Sequence, residues 1–221
     1  QHWSSAASDV YKRQFLMSFL IYLIENILDV VLCFDEIENF QTTQMELYFD
    51  AKTIEFFNVI IIALMLYGIF GPMILDENDF TFQWFAFFQI IFIQNILYFC
   101  IHRYMHITNA SIHKFHHLFQ DQVFPSTANT VSVSEFLVAY LLPLFAGACL
   151  SKTNEVTFLS ASYTISMFNI LVHIKQLENI PYPQYLVSPL KHLDHHKRKT
   201  INYASPILDA EWFIVDGKMN F

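Results

Sequence analysis

FQWFAFFQIIFIQNILYFCIHRYMHITNASIHKFHH, residues 82–117, decides how the rest of the chain is read. Its first part, Phe82–Ile101, is 20 residues without a charged side chain. At 1.5 Å per residue such a helix covers about 30 Å, the thickness of a bilayer's hydrocarbon core. The run passes directly into His102, His106, His113, His116 and His117. The first half reads as a membrane span and the second as a cluster that the span positions.

Working outward, the composition agrees. Of 221 residues, 54% are hydrophobic and 14% charged, with 24 Phe and only 4 Gly. An average soluble domain carries about 25% charged residues. So much apolar surface excludes a disordered chain. A net charge of −8 speaks against a nucleic-acid module. The three cysteines, Cys33, Cys100 and Cys149, are odd in number and lie inside apolar runs, which excludes a disulfide scaffold.

Three further stretches have spanning length: Ile54–Leu75, Val131–Leu150 and Val156–Ile174. A fifth, Phe15–Phe34, contains Glu25, Asn26 and Asp29 and reads as a tilted interfacial helix or a partly buried one. The connections Asp76–Thr81 and Ser151–Glu155 are short enough to force antiparallel neighbours. The expected architecture is therefore all-α and polytopic: two transmembrane hairpins, making four spans, plus an N-terminal amphipathic or fifth helix, under a His-rich helical cap. Both tight loops lie on one side. The longer segments on the other carry Arg103, Lys114, Lys175, Lys191, Lys197, Arg198, Lys199 and Lys218, so the cap is expected to face the cytoplasm. The opening residues 1–14 have neither periodicity nor signal-peptide shape and read as a non-native leader. Residues 15–221 read as a single membrane-embedded domain.

Nine of the ten histidines fall in three groups and a singlet: His102-x3-His106, His113-x2-His116-His117, His173, and His192-x2-His195-His196. On a helix, positions i, i+3 and i+4 share a face, whereas adjacent residues are splayed by about 100°. One HxxHH motif can therefore offer a ring to each of two ions. A lone histidine in an apolar chain is usually a hydrogen-bonded core residue. Two HxxHH motifs are a different matter, since chance at this histidine content gives roughly 0.02. A pH sensor would not need the spacing, and a structural zinc site usually has four ligands, often with cysteine. Nine imidazoles without cysteine suit two ions of iron, zinc or copper.

The order HxxxH, HxxHH, HxxHH on a polytopic membrane protein resembles the fatty acid hydroxylase superfamily, which includes sterol desaturases, sterol methyl oxidases, cholesterol 25-hydroxylase and sphingolipid hydroxylases. The resemblance runs from about Phe82 to Asp209. It rests on His102-Arg103, on IHKFHH at 112–117, and on HLDHHKRKTINYA at 192–204, where Asn202-Tyr203 follow the last histidine pair at the family's spacing. Ala204 stands where the family has Gly, and Ile174-Lys175 follow His173 where many relatives have Gly-Tyr. Only six residues separate His106 from His113, which sets the chain apart from the acyl-CoA desaturases.

The resemblance implies a membrane-bound non-haem di-iron oxygenase that hydroxylates or oxidises a lipid: a sterol, a fatty acyl chain or a sphingoid base. It implies O2 as oxidant and two iron ions, with zinc as a possible substitute. With no flavin, haem or nicotinamide motif in the sequence, electrons would come from a separate donor, cytochrome b5-type or ferredoxin. The membrane would be endoplasmic reticulum or bacterial inner membrane. Glu135, Asn202, Tyr203 and Asp209 are candidates for supporting the metal ligands or meeting substrate. Two other readings are a desaturase using the same two-metal site and a non-catalytic membrane protein whose histidines cage structural zinc.

Overall fold

The computed structural model describes residues 3–65, 81–120 and 122–216. Among them the chain is helical, with no strand beyond one antiparallel bridge between Leu186 and Leu208. The main helices are α1 (Trp3–Leu32), α2 (Phe34–Thr43), α3 (Met45–Met65), α4 (Trp84–Ile107), α5 (Val133–Ser151), α6 (Glu155–Val172) and α7 (Pro189–Arg198). Four of these contain stretches long and apolar enough to cross a membrane: Lys12–Leu32, Trp84–Ile107, Val133–Ser151 and Glu155–Val172.

The last three spans lie where the apolar runs predict them, but α4 continues six residues past Ile101, so His102 and His106 belong to the span's own helix. The run Ile54–Leu75 begins inside α3, which starts at Met45; its end, and most of the Asp76–Thr81 connection, lie outside the described residues. The stretch Phe15–Phe34 lies mainly on α1, which begins at Trp3, within the segment set apart as a leader. Arg13 on that helix meets the Glu155 carboxylate at 3.0 and 2.7 Å.

The axis of the site is α4, and its polarity is inverted relative to a helix in water. Phe85, Phe88 and Phe92 point outward, Phe85 with 82% of its surface exposed, while Gln94, Asn95 and His102 are buried. In hydrocarbon the apolar residues meet lipid and the polar ones need protein partners. Asn95 finds them: its amide donates to the Ile91 carbonyl at 2.8 Å, and its oxygen accepts from the backbone of Ile207 and Leu208 at 3.0 and 2.9 Å. That bond ties the segment after α7 to the middle of α4.

Gly147 lets α5 lie close along α4. A Cβ there would stand 3.1 Å from the Ile90 carbonyl oxygen. Near its start α5 takes a π-turn, Phe136–Leu141, in which the Leu142 N–H bonds the Leu137 carbonyl five residues back. Pro143 follows and has no N–H to continue the regular ladder. The connection to α6 is tight. Lys152 is left-handed, and Asn154 caps α6 by accepting from Thr157 N at 2.9 Å. α6 therefore returns antiparallel to α5, and its last turn meets the C-terminal end of α4. On the outer side Ile37 and Phe40 of α2 pack with Phe119, Phe124 and Leu193, covering the second and third histidine motifs.

Candidate metal centre

The nine histidines meet at one end of the bundle, opposite the Ser151–Glu155 turn. His102 and His106 come from the last turns of α4, His173 caps α6, and His192, His195 and His196 come from α7. α7 is well specified locally: Ser188 accepts from Lys191 N at 3.2 Å, and Pro189 occupies the first turn. The second motif departs from the helical expectation. His113, His116 and His117 sit on two short 3-10 turns, Ser111–His113 and His116–Phe119. A left-handed Asn109 ends α4, and the chain must then fold back under it within a few residues.

The rings sort into two nests. His102, His106, His113, His117 and His195 form the first, and His116, His173, His192 and His196 the second; within each, one nitrogen per ring lies within 4.8 Å of every other. The sorting is reciprocal. The second motif gives its i, i+4 pair, His113 and His117, to the first nest and His116 to the second. The third motif gives His192 and His196 to the second nest and His195 to the first. The splay of adjacent histidines thus distributes each motif over both nests, which touch where the His117 and His196 ring centroids are 4.8 Å apart.

The interior geometry fits a cation. Four rings anchor Nδ1 on an oxygen: His102 on the Tyr203 carbonyl at 2.8 Å, His195 on the Ile201 carbonyl at 2.7 Å, His173 on the Asn169 carbonyl at 2.7 Å, and His113 on Glu135 Oε1 at 2.5 Å. A neutral imidazole has one N–H. With that proton on Nδ1, each Nε2 is a bare lone pair. Yet the Nε2 atoms of His102 and His113 are 2.9 Å apart. Lone pairs that close repel unless a positive ion shares them. Nitrogens each about 2.0–2.1 Å from one ion stand about 3 Å from each other, which is the spacing found. Burial favours the ligating form: it drives the rings of His113 and His195 towards neutrality, to about 2 and about 4, with repulsion between neighbouring cationic rings acting the same way.

The other sequence-chosen residues divide. Glu135 is fully buried and bonds His113, so it supports a ring. Tyr203 contributes its carbonyl to His102 and lays its ring 5.2 Å from that of His106. Asn202 is left-handed, with φ 56°, a conformation Asn tolerates, and its amide reaches Asp194 at 3.4 Å. Asp209 lies off the ring network: its carboxylate pairs with Lys191 and accepts from Trp212 N at 3.1 Å, fastening α7 to the C-terminal segment. Sequence reasoning missed the Ile201 and Asn169 carbonyls, and no side-chain pattern marks them.

The sequence profile of the fatty acid hydroxylase family matches residues 85–211, more than half the chain. The chain belongs to the fatty acid hydroxylase family. The matched residues contain all nine clustered histidines, Glu135 and the Asn202-Tyr203 pair, and omit α1, α2 and α3. No curated protein and no solved structure matched the sequence.

Two spaces lie within reach of the centre of this fatty acid hydroxylase fold. Inside the bundle, a cavity of about 80 Å³ is walled by Ile62, Phe136, Leu144 and Ile165, with Gln94 and Tyr140 among its polar groups. Tyr140 leads back to the rings, since its hydroxyl is 3.5 Å from that of Tyr98, whose ring lies 5.1 Å from His102. A separate cleft of about 300 Å³, lined by Asn109, Lys114 and Lys199, reaches His106, His113 and His117.

Proposed function

We propose that the nine histidines bind two iron ions and that the protein is an O2-dependent lipid oxidase, a hydroxylase in the first instance. The observation carrying this is the convergence of nine buried or half-buried imidazoles in two adjoining nests. The family is one of lipid hydroxylase and desaturase-type oxidases, and its membership makes a lipid the expected substrate. Bound iron would supply the redox chemistry with O2 that side chains lack, which zinc does not.

The chain's own residues hold and orient. His102, His106, His113, His117 and His195 would hold one ion, and His116, His173, His192 and His196 the other. Glu135 and the carbonyls of Tyr203, Ile201 and Asn169 fix ring tautomer and orientation, as partners of metal-bound histidines do. The walls of the bundle cavity exclude water and take an apolar chain or ring system, with Tyr140 at the end nearest His102. The cleft lined by Lys114 and Lys199 is the aqueous approach. A separate donor, b5-type or ferredoxin, would deliver electrons on that side. The basic residues there favour the cytoplasm, in endoplasmic reticulum or a bacterial inner membrane.

The test compares iron-loaded and zinc-loaded protein in membranes, with a b5-type donor. The proposal expects O2 uptake and a changed sterol, acyl or sphingoid lipid with iron alone. Tightly held zinc that iron cannot displace, with no lipid changed, contradicts it in favour of a structural cage.

A further inference from the structure

The buried charges of α1 and α3 lie outside the family match. Glu25, Asp29 and Glu55 have at most 3% of their surface exposed. Ionisable groups in apolar helices call for partners and for a reason. Lys52 supplies part of the neutralisation, 3.0 Å from Asp29 Oδ2 and 3.2 Å from Glu55 Oε2, with Asn26 Oδ1 2.8 Å away.

The rest of the cluster grips one piece of backbone, the 3-10 turn Pro125–Asn129. Asp29 turns its second oxygen to Ser126 N at 3.0 Å, and Glu25 accepts from the Asn129 side chain. Asn58 donates to the carbonyls of Asn129 and Val131 at 2.8 and 3.0 Å. The turn passes this hold on: the Ala128 carbonyl accepts from the Asn169 side chain at 3.1 Å, and the Asn169 carbonyl anchors His173 Nδ1 at 2.7 Å. Ile21 and Leu28 of α1 pack against Ala128, Ile170 and Ile174 around the same joint.

The first nest is supported elsewhere, by Tyr203, Ile201 and Glu135. Asn58 reaches both sides, because Val131 leads on to Glu135. The link through Asp29 and Asn169 leads to His173, in the second nest.

We propose that the α1–α3 charge cluster positions the second nest, with Asp29 and Asn169 as positioning residues that set His173 through the Pro125–Asn129 turn. This rests on the reading of the nests as metal sites. It gives the N-terminal helices a part in the centre that the matched domain does not contain.

The test is cobalt(II) titrated into metal-free full-length protein in detergent, followed by visible absorption. A four-imidazole site has stronger visible bands than a five-imidazole one, so the two equivalents are told apart. Asp29→Leu is expected to weaken the strongly absorbing equivalent at least tenfold, the scale of lost supporting contacts, and leave the other within about twofold. Asp29→Asn, which keeps an oxygen for Ser126 N–H, should restore most of that affinity. Asn169→Leu, cutting the link from the other end, should weaken the same equivalent, and Thr53→Ala on the outer face of α3 neither. Equal weakening of both equivalents, no weakening, or no recovery in Asp29→Asn overturns the proposal. Wild-type protein that binds no cobalt overturns the metal reading, and this inference with it.

Discussion

His113 and Glu135, 22 residues apart, meet at 2.5 Å between Nδ1 and Oε1, both buried. The carboxylate fixes the His113 proton on Nδ1 and turns a bare Nε2 into the first nest. A buried carboxylate on a metal-facing histidine also raises the basicity of the ring. Glu135→Gln keeps the volume and one acceptor but loses the charge. It should lower metal affinity about tenfold, and Glu135→Leu should lower it further. Chelator competition on purified protein measures both; unchanged affinity in Glu135→Leu contradicts the role.

The reciprocal sorting of the motifs makes a sharper claim. His117 belongs to the first nest and His196 to the second. His117→Ala and His196→Ala should each keep about one of two metal equivalents, and the double variant neither, since each nest then lacks a ligand. Metal analysis against protein concentration decides. Loss of both equivalents in either single variant would show one shared site instead of two.

Asn202 earns a separate test through its backbone. At φ 56° it turns the chain so that the Tyr203 carbonyl faces His102. Glycine adopts that geometry freely, whereas a β-branched residue pays about 1–2 kcal/mol or more. Asn202→Gly should keep wild-type metal affinity and Asn202→Val should weaken it. If the side chain's contact with Asp194 matters more than the turn, both will weaken alike.

Sidedness can be checked with single cysteines in a chain lacking Cys33, Cys100 and Cys149. Lys152 lies in the α5–α6 turn and Lys114 beside the rings. Lys114→Cys should label from the cytoplasm with a membrane-impermeant maleimide, and Lys152→Cys from the opposite face. Labelling of both from one face contradicts the membrane crossing of α5.

The parts of this architecture legible in the sequence are those that local periodicity controls. Three apolar runs located α4, α5 and α6, and the i, i+4 spacing of His102–His106 and His192–His196 named partners that do share a nest. Spacing could not say which of His116 and His117 goes where, because both lie near one face and the path of the 3-10 turns decides. The carbonyls of Ile201, Asn169 and Tyr203 were invisible as ring supports, since every residue carries one. Glu25 and Asp29 suggested an interface because their partners, Lys52, Ser126 and Asn129, are 23 to 104 residues away. Asp209 followed from a motif resemblance, but Lys191 takes its carboxylate.

The central claim, that the histidine nests serve oxidation of a lipid by O2, is met most directly by isotope. Iron-loaded protein with a b5-type donor is given ¹⁸O2, and host lipids are analysed by mass spectrometry. The account predicts one ¹⁸O atom in a new lipid hydroxyl, lost in His117→Ala and in His196→Ala. A new double bond with label only in water would make the protein a desaturase, and an unchanged lipid pool with no O2 consumed would contradict the account.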